Sequence, residues 1–358
     1  MLRVGFLTSG GDCQGLNGAM RGVVKALYEN SKEKVQIYGI EDGYTGLIEG
    51  RYKRMKPEEF EDILNLGGTI LGTSRQPFKK INEPDREGRN KVECMIENYN
   101  KMKLNCLVVL GGNGSHKTAN LLHEKGLNIV TLPKTIDNDI YGTEMSFGFQ
   151  SAVDIATRNL DEIRTTAKSH SRVFIVELMG HKAGWLTLHA GISGDADVIL
   201  LPEIPYNINK IKEAIDKKTE SGKKYIIIAA AEGIISKEES KLTKKELKEK
   251  RKQDGYASAA YRLEAELSKV IDREIRVTVP GHLQRGGNPC AYDRLLTSII
   301  GTKAAELILN KEYGRMVSVI NSQVTSIPLS KDVEITKRIQ EGDELVRQAK
   351  LLGICLGD

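Results

Sequence analysis

Short apolar runs recur along the chain, each followed by small or polar residues and then by a longer amphipathic stretch. The runs fall at 2–7, 35–40, 107–110, 129–132, 173–178, 225–231 and 276–279. They are rich in aliphatic and β-branched residues and lack strict alternation, which is the pattern of strands buried on both faces of a parallel sheet. The stretches between them predict helices over 15–29, 117–125, 149–166, 208–221, 257–271 and 293–309. Strands alternating with helices imply βαβ units and an open parallel sheet covered on both faces. The expected fold class is α/β. Segments 51–59 and 237–255 read as exposed excursions. Ligands of such sheets bind at the carboxyl ends of the strands, and nearly all the unusual residues here follow an apolar run.

Composition narrows the classes of function. The 358 residues suffice for two ordinary domains or one large α/β unit. Hydrophobic residues at 40% and charged residues at 28% suit a globular core. Aromatics reach only 5%, which argues against a stacking platform for single-stranded nucleic acid. The formal charge is +5, yet Lys and Glu interleave over 237–252. Such a run is a solvated helix face, so no nucleic-acid partner is expected. Cys13, Cys94, Cys106, Cys290 and Cys355 are odd in number and lack CxxC spacing, which excludes a disulfide frame or zinc site. Free thiols in a reducing cytosol fit them. No apolar run approaches the ~20 residues of a membrane helix, and run 2–7 leads straight into Ser9-Gly10-Gly11 without a signal-peptide pattern. A cytoplasmic location with no membrane partner is the expectation.

Three glycine-rich loops follow strands. Gly10-Gly11-Asp12 and Gly111-Gly112-Asn113-Gly114-Ser115 would let a phosphate approach backbone amides at a helix start. Neither fits GxGxxG or the P-loop pattern. Each alone reads equally well as a tight turn; two of them at separate strand ends favour phosphate binding. The third, Gly67-Gly68-Thr69 with Gly72, precedes Arg75, a candidate partner for phosphate charge.

Thr135-Ile136-Asp137-Asn138-Asp139 follows a strand and Pro133. One carboxylate could accept a proton from an attacking hydroxyl, and the other could hold magnesium, which takes oxygen ligands. Standing alone, the triplet reads as a turn or helix cap. Arg172 opens one strand, while Arg276, His282 and Arg285 are expected to cluster around the end of another. Arginine forks match phosphate oxygens; surface charge is the plainer alternative. His116, His123 and His170 read as surface or satisfied polar groups.

Together these segments resemble the phosphofructokinase family over roughly residues 1–320. The carrying motifs are Gly5 through Asn17, Gly111 through Ser115, Pro133 through Asp139, Arg172 through Gly184, and Gly281-His282-Leu283-Gln284-Arg285-Gly286-Gly287. The resemblance implies two Rossmann-like parallel-sheet domains with helices on both faces. It implies a nucleotide-binding domain of residues 1–142 plus about 283–330, and a fructose 6-phosphate domain of about 143–282 plus 331–358. The implied activity is glycolytic: phosphorylation of the 1-hydroxyl of fructose 6-phosphate with ATP and Mg2+. By the same resemblance Asp137 is the general base and Thr135 a transition-state donor. Gly11, Arg75, Gly112, Asn113, Gly114 and Ser115 fall at the nucleotide, and Asn113 and Asp139 near the metal. Met179, Gly180, His181, Glu232, His282 and Arg285 match the sugar-phosphate pocket. Arg172 and Arg276 match positions that reach the 6-phosphate from a neighbouring subunit, which implies a homo-oligomer, tetramer or dimer, with a shared site.

Departures from the commoner bacterial pattern bear on this expectation. Asn113 stands where an acidic residue is usual, and His181, followed by Lys182, stands where an arginine is expected. Lys134 replaces a glycine and is typical of pyrophosphate-dependent relatives, though some ATP-dependent ones carry it. Gly114 points to ATP, because the aspartate of pyrophosphate users would exclude an α-phosphate on steric and electrostatic grounds. A pyrophosphate-dependent enzyme, a non-catalytic phosphosugar-binding subunit and a lipid or NAD kinase are the competing readings. Arg21, Lys25, Arg164, Lys223 and Lys224 resemble a cationic effector pocket, and residues 235–257 form an insertion relative to compact bacterial members.

Overall fold

The computed structural model describes residues 1–330 and 335–358. In chain order the strands are β1 Leu2–Thr8, β2 Val35–Ile40, β3 Tyr52–Met55, β4 Cys106–Gly111, β5 Ile129–Pro133, β6 Val173–Leu178, β7 Val198–Leu200, β8 Ile226–Ala231, β9 Ile275–Thr278, β10 Arg315–Ile320 and β11 Gln323–Pro328. The chain divides into two compact units. One holds Met1–Ser151 and Arg285–Lys337; the other holds Ala152–Gln284 and Arg338–Asp358.

The first unit is a seven-stranded sheet in the order β11-β10-β5-β4-β1-β2-β3. Its middle strands are parallel, and both edges are antiparallel, β3 on β2 and β11 on β10. Strand order reverses between β1 and β4, the kind of switch point where doubly wound sheets open a crevice at their carboxyl ends. The second unit is a four-stranded parallel sheet, β7-β8-β6-β9. Each has its own apolar core. Leu7, Val109 and Ile129 anchor the first, and Val173, Ile228 and Leu263 the second. The architecture is α/β with parallel-sheet domains and helices on both faces.

The apolar runs became the parallel strands, but β3, β7, β10 and β11 had no predicted counterpart. β7 has only three residues. β3 falls in segment 51–59, expected as an excursion, and carries exposed Lys53 and Arg54, side chains that blunt a sheet edge. β10 and β11 are joined by Asn321 and Ser322, both with positive φ (51° and 60°), the type I′ geometry that matches strand twist. Segment 237–255 contains a further helix, Lys244–Asp254. The first unit also runs beyond residue 142, because buried Asp293 accepts from Gly148 N (3.1 Å), Ser151 N (2.8 Å) and Ser151 Oγ (2.6 Å). The expected boundary at 330/331 abuts 331–334, outside the described residues. Among the described residues no helix is long and apolar enough to cross a membrane.

Helices Leu16–Asn30 and Ala291–Leu309 flank the first sheet and touch at glycines. A Cβ on Gly301 would lie 2.7 Å from Val23 N and 2.8 Å from Ala19 O, both backbone atoms that cannot step aside. Alanine favours a helix over glycine by about 1 kcal/mol, whereas overpacking costs about 1–3 kcal/mol. Gly301→Ala is therefore expected to lower the thermal midpoint despite its better helix propensity; a raised midpoint in differential scanning calorimetry would contradict the close crossing.

Candidate functional site

In the first unit the carboxyl ends of three adjacent strands, β5, β4 and β1, carry the two glycine loops and the acidic turn. At the β1 end the backbone of Gly11 and Asp12 receives two cations. Lys134 Nζ donates to Gly11 O, and Arg285 Nη1 donates to Asp12 O at 3.1 Å. A Cβ on Gly11 would sit 2.7 Å from Arg285 Nη1, so a side chain here would push the guanidinium out of its present position. Lys134 is buried, and desolvation pulls its pKa down from the usual lysine range. Cys13 lies buried beside it, its thiol pushed up to about 12 by the same cause.

The β4 end passes through extended Gly112 into the helix Asn113–Glu124, which has no side-chain cap. Its first two amides, at Asn113 and Gly114, therefore remain available to an anion, while Ser115 N already donates to Gly112 O at 2.9 Å. Space around a Cβ at Gly114 is open, with nothing within 4 Å. Asn113 Nδ2 donates to Asp139 Oδ2 (2.9 Å) and to Asp139 O (3.2 Å). Its Oδ1 is buried with no hydrogen-bond partner among the described residues.

Beyond β5, Thr135 Oγ1 accepts from Asp137 N at 3.0 Å. The turn is locked by Asn138 of the motif and by Glu144, Ser146 and Lys337, which sequence reasoning passed over. Asn138 adopts a left-handed φ of 50°, which Asn tolerates better than most residues. Its side chain accepts from Ser146 N (3.0 Å) and donates to Glu144 O (3.1 Å). Ser146 Oγ donates to Thr135 O at 2.8 Å. Lys337 N donates to Asp139 O at 2.8 Å, while Lys337 Nζ donates to Thr143 O and Glu144 O. Burial lowers the Lys337 pKa to about 8 against the pull of Asp139. The Asx-type turn at Asn138 had a local signal; Lys337, some two hundred residues downstream, had none.

Arg75 follows Ser74, whose carbonyl accepts from Gly10 N at 3.0 Å beside the β1 end, and it lines a cavity of about 860 Å³ with Arg51, Arg86 and Arg89. His116 is fully buried, with Nδ1 on Thr131 Oγ1 at 2.9 Å and Nε2 unpartnered among the described residues, and desolvation lowers its pKa to about 4.

In the second unit Met179, Gly180 and His181 follow β6, and Glu232 follows β8. His181 has a left-handed φ of 53°, fixed by its amide donating to Glu232 Oε1 at 2.7 Å. Its side chain is exposed, so within this unit the position acts on Glu232 through the backbone. Met179 N donates to Gln284 Oε1 at 3.2 Å, which ties the β6 end to the turn containing exposed His282.

Arg172 and Arg276 correct an expectation. Arg276 does not join His282 and Arg285 at one strand end. It is the second residue of β9, in register with Phe174 at the start of β6, and so lies beside Arg172 at the amino edge. Glu274 pairs with both, through Arg172 Nε and Arg276 Nη2, and these partners hold its carboxyl below the usual range. β6 has six residues, a length of roughly 20 Å at ~3.3 Å per residue. One chain's Arg172 and Arg276 are thus a strand length from its own Met179 and Glu232. Arg285 belongs to the first unit. Of the cationic set, Arg21 and Lys25 are in the first unit, and Arg164, Lys223 and Lys224 in the second. There Arg164 bonds Asp195 and Lys223 bonds buried Asp197.

Glycine loops and an acidic turn on neighbouring strand ends are the general form of a phosphate-binding α/β protein. Residues 3–308 match the family model described as Phosphofructokinase, and this chain belongs to that family. A protein of Spirochaeta thermophila named ATP-dependent 6-phosphofructokinase is 50% identical over 357 residues, covering 99% of this chain and 97% of its own length. The structure of phosphofructokinase from Saccharomyces cerevisiae matches with TM-score 0.79 and 30% identity over 93% of this chain, which spans 45% of the yeast chain. A pyrophosphate-dependent phosphofructokinase from Marinobacter aquaeolei matches with TM-score 0.81 over 100% of this chain and 93% of its own. At 20% identity the likeness is one of fold.

The Asn113–Asp139 contact gives a direct test. In Asn113→Asp a second carboxylate replaces the donor 2.9 Å from Asp139 Oδ2, and like charges that close repel. The variant is expected to melt below the parent without divalent cation and to regain the difference in millimolar Mg2+, read by thermal shift. A melting point equal to the parent's in both conditions would contradict it.

Proposed function

We propose that this chain is an ATP-dependent 6-phosphofructokinase that transfers the γ-phosphoryl group of ATP to the 1-hydroxyl of fructose 6-phosphate. The observation that carries the reading is the convergence of the Gly10-Gly11 loop, the uncapped helix start at Asn113 and the Thr135–Asp137 turn on three neighbouring strands. The family membership and the name borne by the 50% identical relative support the same activity.

Phosphoryl transfer demands alignment and charge neutralisation more than covalent help. Asp137 would take the proton of the 1-hydroxyl as that oxygen attacks phosphorus in line. Thr135 and the amides at Gly11, Gly112 and Gly114 would donate to the phosphate oxygens, with Ser115 beside them. Arg75 completes the proposed nucleotide set. The proposed sugar-phosphate residues are Met179, Gly180, His181, Glu232 and His282 in the second unit and Arg285 in the first. Arg172 and Arg276 would serve the 6-phosphate of a neighbouring subunit. The strand length between them and Glu232 supports a homo-oligomer with a shared site, because one chain cannot bring both sets to one phosphosugar. Arg21, Lys25, Arg164, Lys223 and Lys224 remain candidates for an effector site.

Magnesium suits the residues at Asn113 and Asp139. Asn113 Oδ1 is a buried oxygen without a hydrogen-bond partner among the described residues, beside a carboxylate. Among the described residues no three His, Cys, Asp or Glu side chains converge. Mg2+ is ordinarily held by one or two carboxylates plus water and substrate phosphates, so two protein oxygens are a fitting set. Bound there, it would neutralise charge on the phosphates.

The donor assignment rests on Gly114, where open space leaves room for an α-phosphate. Lys134, the feature shared with pyrophosphate users, is bonded to Gly11 O and so leaves the donor undecided by itself. Five free cysteines fit a reducing, cytoplasmic setting.

A coupled assay with fructose 6-phosphate, Mg2+ and either ATP or pyrophosphate tests the reading. Product with ATP is expected. Product with pyrophosphate alone would overturn the donor, and no product with either would favour a binding subunit. Asp137→Asn should lower kcat by about a hundred- to ten-thousandfold with the KM for fructose 6-phosphate little changed. Near-normal kcat would remove Asp137 as the base.

A further inference from the structure

The helix Lys244–Asp254 lies in the insertion and buries no residue. It is closed by a Thr243/Glu246 capping box and a left-handed Gly255. Only Leu247 and Arg251, one turn apart on one face, are less than fully exposed. Both line a single cavity of about 420 Å³, together with His181, Lys182, Pro202, Glu232, Gly233, Ile235 and Arg338. The two residues that this polar helix turns inward both reach this cavity.

Arg251 is fastened in position. Its Nη2 donates to Ile234 O at 3.0 Å, two residues past Glu232. Its Nε lies 3.7 Å from Glu239 Oε1, a buried carboxylate that also pairs with Arg262 Nη1 at 3.1 Å. Arg251 also lines a second cavity of about 230 Å³, with Glu232, Asp254, Tyr256, Ser258, Ala259 and Arg262. Arg251 Nε, Arg262 Nε and Ser258 Oγ are all buried there without a hydrogen-bond partner among the described residues. Carboxylates lie near two of them, Glu239 at 3.7 Å from Arg251 Nε and Glu266 at 4.0 Å from Arg262 Nε. The larger cavity is lined by three cations, Lys182, Arg251 and Arg338, against one carboxylate, Glu232, with Glu239 lying behind Arg251 at 3.7 Å. That excess of fixed positive charge favours an anion.

We propose that Arg251, with Lys182 and Arg338, forms a phosphate-binding wall of the phosphosugar site, built by the insertion helix. The ligand group is a phosphate ester of a sugar. The inference rests on the reading that Glu232 and His181 belong to the fructose 6-phosphate pocket. A phosphate ester could come from the substrate or from the bisphosphate product, so the test measures both.

The experiment compares wild type with Arg251→Gln, using calorimetric titration of fructose 6-phosphate and of fructose 1,6-bisphosphate, the KM for ATP, and the thermal midpoint. Loss of a charged hydrogen bond weakens binding roughly ten- to a hundredfold. The expected result is a loss of that size for one or both sugar phosphates, with the KM for ATP and the midpoint unchanged. The ligand that loses affinity identifies the source. Unchanged affinity for both, or an equal loss for ATP, overturns the proposal. Where Arg251→Gln does not fold, Arg338→Gln decides by the same two titrations. Wild type that binds neither sugar phosphate would instead overturn the proposed function, a separate outcome.

Discussion

Two cations converge on the carbonyl edge of Gly11 and Asp12, and much of the first unit's geometry follows from accommodating them. Lys134 arrives from the end of β5 and Arg285 from the segment that re-enters this unit. A Cβ at residue 11 would crowd the Arg285 guanidinium. Their meeting ties β5, β1 and the returning chain together at the end of the sheet where helix amides are uncapped. A buried lysine with a depressed pKa is costly unless its donors are satisfied. Bonding to a backbone carbonyl offsets that cost and leaves a positively charged floor beneath the glycine loops.

The acidic turn obeys a similar rule. Asn138 holds a left-handed backbone that orients its two neighbours, and its own side chain and Ser146 fix that conformation. Asp137 and Asp139 are thereby given different surroundings. Asp137 donates its amide to Thr135, and Asp139 is gripped by Asn113 and the backbone of Lys337. Two carboxylates two residues apart can take separate roles only if the chain between them turns, and the left-handed residue supplies the turn.

The second unit handles charge by separation along its strands. Glu232 is oriented by a backbone amide at strained His181, at the carboxyl edge of the sheet. Arg172 and Arg276 are gathered by Glu274 at the amino edge. The parallel register of β6 and β9 sets that separation, since Arg276 pairs with Phe174 and not with the far end.

How much was legible in the sequence depended on the range of the interaction. Continuous aliphatic runs wrote the parallel strands of both units, because burial on both faces demands such composition locally. The glycine loops, Thr135, Asp137 and Arg285 stood out because few physical needs place those residues after a strand. By contrast β3, β7, β10 and β11 are short, edge or hairpin strands whose existence depends on a neighbour offering hydrogen bonds. The grip of Lys337 on the acidic turn, the partnership of Asp293 with Ser151, and the inward face of helix Lys244–Asp254 are likewise written nowhere near the residues they serve. The edge on which Arg276 lies followed from strand register. The sequence by itself determined the α/β class, the family and the chemical identities at the strand ends, since local composition carries those. Which groups meet, and on which edge of a sheet, was decided by the tertiary structure, because hydrogen bonds and ion pairs between segments hundreds of residues apart leave no local pattern.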